Sequence, residues 1–321
     1  MNQTRRWLSV LLLATAPLAA LAQAYPARPV RIVNPYAPGG PVDLIARELA
    51  GGLAKSLGGS FVIEYKPGAN ATLATSYVAA APPDGYTLLV GAGGANIAVP
   101  ALSVKPPYDG IKEFAPVVMA VSVPNILVAG PHVQAASLPQ FLEQARSKRL
   151  SYASTGNGGS PHVAGEILQQ KTGIKLTHVP YKGAAPVIND LLGGHVDVAF
   201  LNLSAVLSHI RTGKLRPLAI ASRQRSKALP DVPTFTDLGI PEFFSGSWNG
   251  LLAPAGTPPE IVQAIYAASA AHLSQPEVRA RLEATGTDVF LLDPPKFLAF
   301  MHEEKRDLVK IIKDAGITMD Q

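Results

Sequence analysis

Short apolar runs alternate with amphipathic stretches over almost the whole chain. Residues 30–33 form an apolar run that ends in the turn Tyr36-Ala37-Pro38-Gly39-Gly40, and a helix-period pattern occupies 42–57. A run at 61–65, a Pro67-Gly68 turn, a helical stretch near 72–81 and a run at 87–90 continue the rhythm. Short β-rich segments separated by helices predict a parallel sheet layered with helices. A proline-rich stretch at 100–116 interrupts the pattern, and the run at 125–129 starts it again.

The second cycle has the same form. A helix near 138–149 precedes a run at 150–153, the glycine-rich turn 155–160 and a helix over 161–172. Residues 176–179 lead through Tyr181-Lys182-Gly183 to a helix at 185–192 and a continuous apolar run at 196–201. Further strands are expected at 215–221 and 248–253. Helices at 258–273, 276–284 and 294–315 close the chain, with proline near each start. Two similar α/β halves and a helical tail too small for a third domain predict a two-lobed molecule: 25–123 with 247–321 as one lobe, 124–246 as the other. The tail is expected to return to the first lobe.

The first 24 residues stand outside this scheme. Arg5 and Arg6 precede an apolar stretch from 7 to 21, and Ala22-Gln23-Ala24 follows. A basic start, an apolar middle and small residues at the end read as a secretory signal cut after Ala24, which predicts an exported, periplasmic protein. Of 28 basic residues, two lie in this leader, so 26 face 23 acidic ones in the remainder. That mild balance, without a basic run interleaved with aromatics, gives no support to nucleic-acid binding. Cysteine is absent, which excludes disulfides, thiolate metal sites and cysteine nucleophiles.

Catalytic signatures are missing too. Gly91-Ala92-Gly93-Gly94-Ala95-Asn96 and Gly156-Asn157-Gly158-Gly159-Ser160-Pro161 each lack the third glycine of a dinucleotide loop, and there is no Walker-type sequence. No serine has glycine at both −2 and +2. The histidines are scattered, so neither a metal site nor a cofactor is expected. What remains is a set of glycine-rich turns between strand ends and helix starts. Gly39 and Gly40 precede Pro41, Ser160 is a natural cap before Pro161, and Gly183 and Ala184 open a third helix. Amide groups and the positive dipole end at such turns suit a carboxylate. Asp43, about three residues into its helix, serves either that helix start or a ligand.

The residues at these turns resemble a known family. Tyr36-Ala37-Pro38-Gly39-Gly40-Pro41-Val42-Asp43 is similar to the first-loop signature of the Bug proteins, extracytoplasmic receptors of tripartite tricarboxylate transporters. Pro83-Asp84-Gly85-Tyr86-Thr87, His162-Val163-Ala164-Gly165-Glu166, Val179-Pro180-Tyr181-Lys182-Gly183 and Ala253-Pro254-Ala255-Gly256-Thr257-Pro258 match in order, so the resemblance spans essentially all of 25–321. It implies a periplasmic-binding-protein fold of the two-crossover kind, without enzymatic activity, acting as a monomer. Such a protein captures a small carboxylate and passes it to membrane permease subunits, or its occupancy to a sensor. By position it nominates Pro38, Gly39, Gly40, Asp43, Gly93 and Ala95 from the first lobe. From the second it nominates Thr155, Gly156, Asn157, Ser160, His162, Tyr181, Gly183, Ala184 and Asn202. Relatives often place Ser or Thr in the turn reading Ala92-Gly93-Gly94-Ala95 here, and an acidic residue where this chain has Leu201. Both departures point to a less polar far end of the ligand, an aromatic or short aliphatic acid. The alternative is an exported hydrolase of a small carboxylated substrate, which would need an activated nucleophile.

Overall fold

The computed structural model describes residues 25–315. The expected secretory signal lies outside them. The order of elements is β1 (Val30–Asn34), α1 (Pro41–Leu57), β2 (Phe61–Tyr65), α2 (Thr72–Ala79), β3 (Thr87–Ala92), a π-helical turn (Gly94–Ala98), α3 (Val99–Leu102) and β4 (Phe114–Ala129). Then follow α4 (Leu138–Ser147), β5 (Leu150–Ser154), α5 (Ser160–Thr172), β6 (Leu176–Pro180), α6 (Ala184–Gly193), β7 (Val198–Asn202), α7 (Leu203–Arg211) and β8 (Arg216–Ile220). The chain continues through β9 (Gly246–Pro254), α8 (Pro259–Leu273), α9 (Pro276–Glu283), β10 (Asp288–Leu292) and α10 (Pro294–Ala315).

Local chemistry explains most of these limits. Proline sits in the first turn of α1, α4, α5, α8 and α9, where its missing N–H costs nothing. Gly173 and Gly194, both left-handed, end α5 and α6. All six residues of β3 are buried, as a strand covered on both faces requires.

The strands run β2-β1-β3-β9-β4-β7-β5-β6, with β8 and β10 also paired to β4. β1 pairs in parallel with β2 and β3, and β5 pairs in parallel with β6 and β7. Strand β4 joins the halves. Its residues 114–124 pair with β9, and from Asn125 onward it pairs with β7 and β8. Four apolar clusters cover the two halves on both faces, so each half has its own two-sided core. The result is the two-lobed α/β fold.

The structure departs from the sequence expectation at β4, β10 and α7. The proline-rich stretch was expected to break the rhythm as far as 116, yet β4 starts at Phe114 and carries Pro116 and Pro124. The register shifts between Pro116 and Val118, so the missing donor falls at a bulge. β10 and α7 have no counterpart among the expected elements. The tail helix α10 packs Phe297, Met301 and Leu308 into the first-lobe core and also reaches α5.

Candidate functional site

The loops that leave β1, β3, β5, β6 and β7 carry the nominated residues, at the carboxyl ends of strands where open α/β sheets bind ligands. In the first loop, Pro38 and Gly39 are exposed and Gly40 caps α1. Gly39 has a φ of +85°, which an L side chain adopts only under strain. Asp43 is 3% exposed and fully engaged. Its Oδ2 accepts the Gly39 N–H at 2.9 Å and Arg47 Nε at 2.9 Å, and its Oδ1 accepts the Tyr65 hydroxyl at 2.7 Å. Burial opposes its ionisation, but these three donors outweigh that and hold the carboxyl below its usual range. Asp43 thus braces the loop. Since Gly39 spends its amide on Asp43 and Pro41 has none, Gly40 and Val42 are the amides this helix start can offer an anion.

The turn after β3 faces inward. Ala95 is buried and its carbonyl accepts the Tyr108 hydroxyl at 2.7 Å. Gly93 is buried against two side chains: a Cβ there would lie 2.8 Å from Glu304 Oε1 and 2.9 Å from Trp248 Nε1. Trp248 donates its indole N–H to Glu304 Oε2. The side-chain-free position at 93 is therefore the space in which this carboxyl stands. Burial raises Glu304 to a pKa of about 7, against the opposing Trp248 hydrogen bond. The turn carries no hydroxyl side chain, and the Glu304 carboxyl stands beside it.

In the second lobe the loop 155–159 runs beside the loop after β6. A Cβ on Gly156 would lie 3.3 Å from the Tyr181 carbonyl, and Tyr181 N–H donates to Ser154 O at 3.0 Å. The Tyr181 hydroxyl donates to Asp190 at 2.6 Å, and burial together with Asp190 lifts its pKa to about 12. Gly183 caps α6 with a φ of +108°, and Ala184 is its first residue. Thr155, Gly156 and Asn157 are partly buried. Ser160 was expected to cap α5, but Gly159 does so and Ser160 is the first helical residue. Its hydroxyl turns to the crossover strand instead, 3.3 Å from Ser247 Oγ. His162 is 6% exposed and accepts the Gly158 N–H on Nδ1 at 3.0 Å.

A closed ring of hydrogen bonds lies where the strands pass between lobes. Ser247 Oγ donates to Asn202 Oδ1 at 3.2 Å, and Asn202 Nδ2 donates to Asn125 Oδ1 at 2.8 Å. Asn125 Nδ2 donates to Ser245 Oγ at 2.9 Å, and Ser245 Oγ donates to the Ser160 carbonyl at 3.1 Å. The ring ties the start of α5 and the end of β7 to β4 and β9. Across the gap, Leu102 of α3 sits where a Cβ on Gly158 would be, so the loops of the two lobes are in contact. Sequence reasoning nominated Ser160 and Asn202 and missed Asn125, Ser245, Ser247 and Glu304.

Ser154 Oγ lies 2.7 Å from His178 Nε2, but Ser154 is fully buried and cannot meet a substrate. Among the described residues no cluster of His, Asp and Glu could hold a metal ion, and no helix is long and apolar enough to cross a membrane.

Comparison with known proteins agrees over nearly the whole chain. The profile of a family described as tripartite tricarboxylate transporter family receptor matches residues 45–317. Protein BugT of Bordetella pertussis is 36% identical over 323 residues, covering 98% of this chain and 99% of its own. Among solved structures, Rpa4515 of R. palustris with adipate superposes with a TM-score of 0.82 at 33% identity, covering 92% of this chain and 99% of its own. MatC of Rhodopseudomonas palustris with bound malate gives 0.75 at 34% identity, covering 90% and 100%.

Proposed function

Because this chain belongs to the receptor family of tripartite tricarboxylate transporters, the Bug proteins, it is a solute-binding protein rather than an enzyme, and we propose that it captures a small carboxylate between its lobes in the periplasm and delivers it to membrane permease subunits. The observation that carries the ligand class is similarity, above 30% identity and over nine-tenths of the chain, to proteins seen with adipate and malate. Short aliphatic acids are accordingly the first class to test. The two helix starts after Gly40 and Gly159, each with glycine freedom and no Arg or Lys in its loop, support a carboxylate held by backbone amides.

In this reading, lobe one is 25–123 with 247–321 and lobe two is 124–246, since β4 changes partners between Pro124 and Asn125. Residues 1–24 direct export and are removed, and the receptor acts as a monomer. Pro38, Gly39, Gly40 and Gly93 face the ligand from one side, and Thr155 to Asn157, Ser160, Tyr181, Gly183, Ala184 and Asn202 from the other. Asp43, Ala95 and His162 act behind them.

The test is a thermal-shift screen of the chain from Tyr25, with C4 to C6 mono- and dicarboxylates and aromatic acids. A solute at 100 times its dissociation constant stabilises the fold by about 2.7 kcal/mol, a shift of several degrees. Calorimetry and recovery of the unchanged solute then confirm binding without turnover. A chain that answers to no carboxylate, or that converts one, overturns the proposal.

A further inference from the structure

Two histidines beneath the loop 155–159 stack ring on ring. His162 of α5 and His178 of β6 have centroids 3.9 Å apart and planes within 7°. The parallel register of β5 and β6 sets Tyr152 beside His178, and its ring stacks on the same imidazole at 4.7 Å. Each imidazole holds one residue of the loop. His162 Nδ1 accepts the Gly158 N–H at 3.0 Å. His178 Nε2 contacts Ser154 Oγ at 2.7 Å, and that oxygen accepts the Gly156 N–H at 3.3 Å.

A ring nitrogen accepts only when it carries no proton. The Gly158 bond therefore assigns the proton of neutral His162 to Nε2, which faces Glu166 Oε1 at 3.8 Å. Glu166 also accepts from the Tyr152 hydroxyl and from Gln169 Nε2. Among the described residues, Glu166 of α5, Tyr152 of β5 and the other imidazole are the titratable groups facing this pair. Adding a proton to His162 Nδ1 removes the acceptor from Gly158, and two imidazolium rings at this spacing repel each other.

We propose that the stacked pair is a positioning device for the loop 155–159: with both imidazoles neutral the loop keeps its solute-facing shape, and protonation of His162 releases it. His162 acts through Gly158 rather than by touching the solute. The functional consequence, weaker capture in acid, rests on the receptor reading above. Burial lowers the pKa of both rings, and His178, half-buried and beside His162, falls to about 4. Glu166 opposes the lowering at His162. Release thus belongs to the acid side of neutrality.

Hydrogen exchange of the chain from Tyr25, with no solute added, tests this directly. Protection of the peptide spanning 155–160, corrected for the intrinsic pH dependence of exchange, should fall about tenfold or more between pH 7 and pH 4.5. Protection within α8 should hold, which separates local release from global unfolding. In His162→Asn the side-chain oxygen takes the place of Nδ1 and does not titrate, so loop protection should be the same at both pH values. A wild-type loop whose protection is unchanged by pH, or a His162→Asn loop that still opens in acid, overturns the proposal. Since no solute is present, either failure leaves the receptor reading standing, and the carboxylate screen tests that reading separately.

Discussion

Replacing Glu304 with Gln should make the protein more stable at pH 8 and leave it unchanged at pH 4.5. The carboxyl stands against Gly93 with the Trp248 indole N–H as its donor, and its protonated form is favoured: the pKa rises from the ordinary 4.5 to about 7 because burial penalises the charge. A group with a raised folded pKa contributes stability that is complete below its unfolded value and is lost as pH rises through the folded value. Between 4.5 and about 7 the displacement amounts to roughly 3 kcal/mol, at about 1.4 kcal/mol per pH unit. The wild type gives this up by pH 8. Gln keeps an oxygen for Trp248 and carries no charge to desolvate, so E304Q should gain about 1–3 kcal/mol over wild type at pH 8. The slope between the two pH values should change as well. Burial lowers the folded pKa of both His162 and His178, so their contribution is present above the unfolded value near 6.5 and is lost as pH falls through the folded values, which for His178 is about 4. In wild type the two slopes oppose each other. In E304Q the largest opposing contribution is gone, so the change in stability from pH 4.5 to 7 should be more positive than in wild type. Urea unfolding without solute, at four pH values from 4.5 to 8, measures all of this. An E304Q protein that differs from wild type by the same amount at every pH, or that is less stable at pH 8, refutes the reasoning.

Two further predictions concern the loops. Once the screen supplies a solute, Gly39→Val should weaken it more than tenfold, above about 1.4 kcal/mol, because a β-branched residue is strained at the φ of +85° and would move the loop off Asp43. Lys182→Ala should cost less than tenfold, since the lysine is exposed and a solvated charge contributes about 1 kcal/mol or less; calorimetry showing the reverse order would mean a cation holds the anion. Asp43→Asn should destabilise the fold at pH 7 by about 1–3 kcal/mol, since its new N–H group meets donors from Gly39, Arg47 and Tyr65. That difference should shrink as pH falls below the ordinary carboxylate value, where wild-type Asp43 begins to lose its own contribution, and equal urea midpoints at pH 7 would count against the brace.

What was legible in the sequence is what local spacing decides. The apolar runs and the Pro and Gly punctuation placed most strands and helices within a residue or two, since burial on both faces and the first turn of a helix impose rules that act over a few positions. β4 escaped because its prolines read as breakers, while a register shift at Pro116 lets the sheet tolerate one. The site divides along the same line. Ser160 and Asn202 stand next to turns and could be named, but the ring that engages them needs Asn125 and Ser245, 120 positions apart, to meet. The histidine stack likewise exists only once the β5–β6 register sets Tyr152 beside His178 and the start of α5 folds His162 over them. Glu304 is the instructive case, because its signal was present. Phe297, Met301, Glu304 and Leu308 follow the helical spacing of one face, so a carboxyl lies in the apolar stripe of α10. A charge at such a position needs a partner or a raised pKa, and the place for it was the glycine at 93, whose missing side chain looked like the loss of a ligand contact. The turn read alone suggested a less polar far end of the ligand. Read with Glu304, it gives a carboxyl of adjustable charge where the first-lobe turn, the crossover strand and the tail helix meet.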